Sequence, residues 1–240
     1  SYFGVPQDTL TAYTITDGDG NSHNIKVSTY NYYFAVEYNN LRQKKSTYSQ
    51  YSSQYGLDLS SMNLDVDFEK KLSKQTTTND DGQTVTWAQY IDDEVKDNIK
   101  STYSYYYEAV KANNGKEPSI TDDQKKELQE TLDKYESSAK EAGYALDGYL
   151  KAAMGKGVDS ALVKREMTIA YISDNYKNGL TDKYAEKGYS EDVYNTYKKE
   201  HKSDLLAVDV KYFECSSADD AKKFKKALKA DGSNFAELAA

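Results

Sequence analysis

The residues able to do chemistry are few and scattered. Asp17-Gly18-Asp19-Gly20-Asn21 imitates the start of a calcium loop, with oxygen donors at its first, third and fifth positions. The rest of such a loop fails, because Ser22 stands where a glycine is needed and Ser28 where a glutamate must close the site. A plain turn fits these residues better. Two histidines, His23 and His201, have no ligand-type neighbours at metal-site spacing. The single cysteine, Cys215, excludes an internal disulfide, and no histidine lies near it in sequence to activate it. The carboxylate pairs Asp122/Asp123 and Asp219/Asp220 fall in first helical turns, where they complement the helix dipole. No P-loop, G-x-S-x-G, G-x-G-x-x-G or H-E-x-x-H pattern occurs. The residues therefore single out no catalytic, cofactor-binding or metal-ligating side chain, and no cofactor is expected.

Charge narrows the partners. The chain of 240 residues carries a net charge of -8, which argues against nucleic acid, since phosphate binding needs a basic face. Lys222, Lys223, Lys225, Lys226 and Lys229 read as the solvated face of one helix. Mean hydropathy is low at -0.88, yet 24 tyrosines supply rings that bury well while their hydroxyls stay wet, so a folded chain is expected. The clusters Tyr30/Tyr32/Tyr33 and Tyr103/Tyr105/Tyr106/Tyr107 suggest a sugar-binding platform at first sight. Consecutive helical residues point in different directions, however, so core packing with a wet rim is the better reading. No transmembrane run or signal peptide is present. The start at Ser1 is that expected of a processed or trimmed chain.

The elements that must position these residues are mostly helices. Residues 8–27 read as a β-hairpin around the Asp17–Asn21 turn. Ser28 is placed to cap a helix running to Tyr55, stopped by Gly56. Residues 57–83 read as polar loop with a short helix near Asp67–Leu72 and a turn at Asn79-Asp80-Asp81-Gly82. Thr86-Trp87-Ala88-Gln89 has the form of a capping box, opening a helix to Ala112 striped with Trp87, Tyr90, Ile91, Val95, Ile99 and Tyr103. A second box, Thr121–Gln124, opens a charged helix to Ala142 with Leu128, Leu132, Tyr135 and Ala139 along one narrow stripe. A short helix over Leu146–Met154 follows. The next, Val158 to Asn178, carries two adjoining apolar stripes and should be central. One more helix spans Glu191–Lys202. The last segment reads as a strand over Leu205–Phe213, a helix from Ser217 with Phe224 and Leu228 inward, and a further turn at Asn234–Ala240. About 35 residues of this kind cannot bury a core alone.

In order, these segments resemble SurA/PrsA-type foldases. Val27-Ser28-Thr29-Tyr30-Asn31-Tyr32-Tyr33-Phe34 after the hairpin, and Thr86–Ile91 leading into a helix, are similar to the start of their N-terminal chaperone region. Ala142–Leu150 followed by Gly155-Lys156-Gly157-Val158 is similar to its later part, especially in Tyr-rich, membrane-anchored relatives from Gram-positive anaerobes. Val210–Cys215, Ala221, Leu228 and Asn234–Ala239 are similar to the first strand and helices of a parvulin-type prolyl isomerase. That family usually has a histidine in this strand, where the chain has Tyr212. The remaining isomerase elements would lie beyond Ala240, so this chain is not expected to catalyse isomerisation. The resemblance implies a mainly α fold: a hairpin segment over 1–27, a helical chaperone-like domain over 28–203, and a truncated parvulin-like β-α-α start over 204–240. It also implies an extracytoplasmic, cell-surface chaperone module binding unfolded or nascent secreted polypeptides, held to the membrane by an N-terminal anchor. An exposed apolar groove, or a homodimer contact covering it, goes with that expectation. A cell-surface module binding carbohydrate or protein through its tyrosines is the alternative.

Overall fold

The computed structural model describes residues 9–56, 58–188, 191–200, 215–229 and 231–239. They form a mainly helical chain with two small antiparallel hairpins. Two compact units are present, residues 1–183 and 184–240.

The first unit opens with β1 (Thr11–Thr16) paired to β2 (Ser22–Lys26). A bulge at Ala12 shifts the register, so that Tyr13 faces Ile25 and Ile15 faces His23. Those four side chains share the face turned to the helices, and Ile15 and Ile25 are buried. The Asp17–Asn21 turn is held by Asp17, which accepts from the Asp19 and Asn21 backbone N–H groups and from the Asn21 side chain. It works as a turn, as its residues predict.

Helix α1 (Val27–Tyr55) follows without a break, with Lys26 as N-cap and no side-chain capping bond. Ser28 therefore does not cap it; the cap falls two residues earlier, at Lys26, because β2 leads straight into the helix, and Ser28 is buried inside the first turn. Gly56 ends it in the left-handed conformation. The segment read as polar loop is more ordered than its composition suggests. A 3₁₀ turn (Leu72–Lys74) leads into β3 (Thr76–Thr78), which pairs with β4 (Thr84–Thr86) around the Asn79–Gly82 turn. Leu64 and Val66 are fully buried, Phe68 packs edge-on to Tyr38 of α1, and Lys45 of α1 donates to the Val66 carbonyl. The short helix expected near Asp67–Leu72 is replaced by turns. There the Gln75 side chain accepts from the Asp67 N–H and donates to the Asp67 carbonyl, satisfying the backbone without a helix.

Helix α2 (Trp87–Ala112) buries the stripe read from the sequence except Tyr90, which stays half-buried, and adds Tyr106 and Ala109. Its capping box is half-made: Thr86 accepts from the Gln89 N–H, but the Gln89 side chain turns to Asp93. Helix α3 (Asp122–Glu141) has the complete reciprocal box of Thr121 and Gln124. Helix α4 (Leu146–Met154) is followed by α5 (Ser160–Lys187), longer than its apolar stripe alone indicates. Asp159 accepts from the Leu162 N–H at its start, and Asp147 of α4 accepts from the Ser160 N–H.

Two apolar clusters make the core. One joins the first hairpin, α1, α2 and α5 through Ile25, Tyr33, Ile91, Val95, Ile99, Ile169 and Ile172. The other joins α1, α4 and α5 through Ala35, Leu150, Met154, Val158 and Val163. Helix α5 enters both, so its two adjoining stripes have two sets of partners, as the sequence predicts.

In the second unit, α6 (Glu191–Glu200), α7 (Ala218–Ala227) and α8 (Phe235–Ala239) are helical. Ser217 caps α7, Phe224 packs edge-on to Phe235, and Asn234 bridges the Lys229 N–H and the Ala227 carbonyl. The strand expected over Leu205–Phe213, Tyr212 and the 203/204 boundary lie outside the described residues.

The link from α4 to α5 depends on Gly155. Its φ of +112° is glycine territory, and a β-carbon there would sit 3.2 Å from the Asn31 side chain. Asn31 cannot simply retreat, because its amide donates to the Lys156 carbonyl at 2.9 Å. Gly155→Ala should lower unfolding free energy by about 1–3 kcal/mol. Gly143→Ala, left-handed but in open space, should cost about 1 kcal/mol. Urea unfolding of the two variants checks the order.

Candidate functional site

Where α1, α2 and α5 meet, the core contains a carboxylate. Glu166 of α5 is 2 % exposed, the one acidic or basic side chain buried to this degree among the described residues. Thr29 of α1 donates to its Oε1 at 3.0 Å. The Tyr103 hydroxyl of α2 straddles the carboxylate, 3.0 Å from Oε1 and 2.9 Å from Oε2. Each of the three helices thus supplies one polar group to a single knot. Tyr33 of α1 is buried beside it and its hydroxyl makes no hydrogen bond of normal geometry among the described residues. The Glu166 carboxylate and the Thr102 hydroxyl lie close to it without a well-aligned bond.

Burial pushes the Glu166 carboxyl above its ordinary value, and the hydroxyls of Tyr103 and Thr29 and the charge of Arg165 offset only part of that. Burial and the Glu166 charge likewise push the Tyr103 phenol up, so it stays a donor. With no exposure to a ligand, Glu166 is a proton-linked structural group and not an acid or base for an external substrate.

A wetter layer covers this knot. Arg165, next in α5, donates to Glu117 at 2.6 Å and to the Tyr106 hydroxyl at 2.8 Å, and its guanidinium lies over the Tyr106 ring. Tyr106 in turn donates to Glu117 at 2.6 Å, and that bond, with Arg165, holds the Glu117 carboxyl below its usual range. Nearer the start of α2, Asp92 accepts from Tyr30 of α1 and from Lys96, both at 2.6 Å. Burial works against the Asp92 charge, but these two bonds outweigh it and keep the carboxyl low.

The residues singled out by sequence fall elsewhere. His23 stacks on Tyr107 at 3.7 Å between ring centres and bonds to Asp17 at 2.8 Å, clamping the hairpin to α2. The His23 and Asn21 bonds hold Asp17 well below the usual carboxylate range. Asp19 pairs with Lys111 of α2. The calcium-like residues are thereby committed to structure, and among the described residues no group of three or more His, Cys, Asp or Glu is arranged to hold a metal. Asp122 pairs with Lys125, and Asp219 and Asp220 with Lys222 and Lys223, as first-turn residues do. Cys215 is half-buried and lines a cavity of about 390 Å³ in the second unit with Phe224 and Leu238. His201 and Tyr212 lie outside the described residues. The tyrosine clusters split by direction as expected: Tyr33, Tyr103 and Tyr106 turn inward, while Tyr30, Tyr32, Tyr105 and Tyr107 are half-buried.

Sequence reasoning passed over Glu166. Its signal was a carboxylate three residues from Val163 and three from Ile169, at a position inside the apolar stripe.

The outer surface carries two further features. The far half of α1 extends its aromatic spacing through Tyr48, Tyr51 and Tyr55; Tyr51 is 48 % and Tyr55 66 % exposed, and their rings stack at 6.3 Å. A polar cleft of about 600 Å³ runs between β3 and the segment Asp58–Asp65.

No protein-family model, curated protein or solved structure matches this chain. No helix among the described residues is long and apolar enough to cross a membrane.

Two variants test the buried knot. Because the folded chain holds the Glu166 proton more tightly than the unfolded chain, stability from this group is greatest below 4.5. It falls as pH rises from there through the raised folded-state value, then levels off. Glu166→Gln keeps an acceptor and a donor at the site and should abolish that slope, so wild type and variant diverge only as pH rises. Tyr103→Phe strips the carboxylate of its main donor and should cost about 1.5–3 kcal/mol at neutral pH. Denaturant titrations across a pH series read both effects; parallel curves for wild type and Glu166→Gln would remove the proton linkage.

Proposed function

We propose that this chain is the polypeptide-binding part of a SurA/PrsA-type foldase, acting outside the cytoplasm on unfolded secreted proteins. In this reading the longer protein is anchored to the membrane of a Gram-positive cell, and the residues present bind chains without isomerising prolines. The motif-level resemblance over residues 8–203 supports it, and so does a mainly helical unit that starts with a hairpin.

The observation that carries the reading is the tyrosine stripe on α1. This helix has 29 residues, roughly 43 Å at 1.5 Å per residue. Its first half enters both core clusters, and its far half presents Tyr51 and Tyr55 to solvent. Exposed tyrosines suit a binder of many sequences. The ring offers a broad apolar surface to any aliphatic or aromatic side chain, while the hydroxyl keeps the empty surface soluble. Contacts of this kind discriminate little between clients, which is what a chaperone needs. Net negative charge keeps a client-laden chain soluble.

The chain should suppress light scattering of a chemically denatured client at neutral pH. Tyr51→Ser with Tyr55→Ser should remove at least about half of that effect while leaving the thermal midpoint within about 1 °C, since surface changes of this kind cost little. Wild type that fails to suppress aggregation even in tenfold excess would defeat the reading.

A further inference from the structure

The strand pairing of β3 and β4 leaves one edge of β3 available for another chain. The Asn79 N–H bonds to the Gln83 carbonyl and the Trp87 N–H to the Gln75 carbonyl, with Thr77 opposite Val85 between them. In an antiparallel ladder the inward-bonding residues alternate. Thr77 therefore points its N–H and carbonyl at β4, while Thr76 and Thr78 point theirs the other way. Neither Thr76 nor Thr78 makes a backbone hydrogen bond to any described residue on that outer side. The cleft of about 600 Å³ lies along this strand, and its far wall carries Asp58, Ser60, Asn63 and Asp65. Asn63 accepts from the Thr77 hydroxyl at 3.0 Å, which fixes the wall to the face of the strand.

The charge around this edge is predominantly negative. Residues 58–97 hold ten carboxylates against four lysines. Asn79 lines both the cleft and a neighbouring cavity of about 290 Å³ that gathers Asp80, Asp81, Asp93, Glu94 and Asp97 around a single Lys96. Burial, together with Glu37, Asp80, Asp97 and Asp93, pushes the Glu94 carboxyl up, so the groove repels further negative charge.

We propose that the outer edge of β3 takes up an extended peptide segment rich in lysine or arginine as a third strand. This rests on the polypeptide-binding reading and names the client chemistry for it. Thr76 and Thr78 offer two N–H donors and two carbonyl acceptors, a sequence-independent grip of the kind used in strand addition. The carboxylates supply the preference for basic residues and speed encounter.

The test uses the full chain and two blocked, fluorescent peptides of about twelve residues. Each alternates valine and threonine, one carrying lysines and the other glutamates at the same positions. The lysine peptide should bind at least about tenfold tighter at low salt, with the gap narrowing as salt screens the groove. Its binding should slow exchange of the Thr76 and Thr78 amides. Thr78→Pro removes one outward N–H and leaves the Thr77–Val85 pairing in place, so affinity should drop about tenfold. Equal affinity for the two peptides, or protection that spares the Thr76 and Thr78 amides in the wild-type chain, would overturn the proposal whether or not the proline variant folds. The broader reading is judged apart. If wild type and folded Thr78→Pro suppress client aggregation equally, the β3 edge fails as the client site and the chaperone reading stands. If wild type suppresses nothing while the lysine peptide still protects those amides, the chaperone reading fails and the edge site remains.

Discussion

The hydrogen-bond knot at Glu166 sets the terms for the rest of the helical unit. A carboxylate taken out of water costs several kcal/mol unless donors meet it, so α1 and α2 must present Thr29 and Tyr103 at one point. That requirement is directional, unlike apolar packing, which accepts many rotations and slides of one helix on another. It fixes the rotation of all three helices at their crossing. Removing a partner strands a buried polar group, so alternative packings are penalised more steeply than a loss of apolar contact would penalise them.

Around this point the chain is built in layers of decreasing dryness. Isoleucines and valines of the two clusters surround the knot, Tyr30 and Tyr106 lie at the edge of the larger cluster, and charged residues bond to their hydroxyls. Tyr106 with Glu117 and Arg165, and Tyr30 with Asp92 and Lys96, are two instances of the same arrangement. This is how a chain of low mean hydropathy assembles a core. Tyr30 and Tyr106 each pack a ring against the core and hand the polar end to a surface ion pair, so less aliphatic residue is needed. The first hairpin is fastened in the same style, by His23 stacked on Tyr107 and Asp19 paired with Lys111.

The surface follows from how the core is filled. Once α2, α5 and the Leu64–Phe68 segment have covered the first part of α1, its aromatic spacing runs on toward Gly56 with Tyr51 and Tyr55 left to the solvent. Among the described residues the second hairpin has only two strands, and no strand lies beside the outer side of β3. An aromatic stripe and an open strand edge in an acidic surrounding are different surfaces. One presents aromatic rings and the other presents backbone groups.

Much of the fold is legible along the chain. The Asp17–Asn21 turn, the stop at Gly56, the Thr121–Gln124 box, the limits of α4 and the stripe of α2 all depend on residues within four or five positions of one another. Local steric and hydrogen-bonding rules decide such features, so composition and spacing suffice to read them. The pairing of β3 with β4 was hidden, because short threonine strands carry no apolar alternation to distinguish them from loop. The buried knot was hidden for a stronger reason. Glu166 bonds to residues 137 and 63 positions away, and nothing near it in sequence says that a carboxylate in an apolar stripe will find donors there. The sequence by itself determined the apolar faces of the helices and those ends that local stops and caps define, such as Gly56 and the Thr121–Gln124 box. Only the tertiary structure decided which helices meet and at what rotation, because the free energy of a buried charge depends on all its donors arriving together.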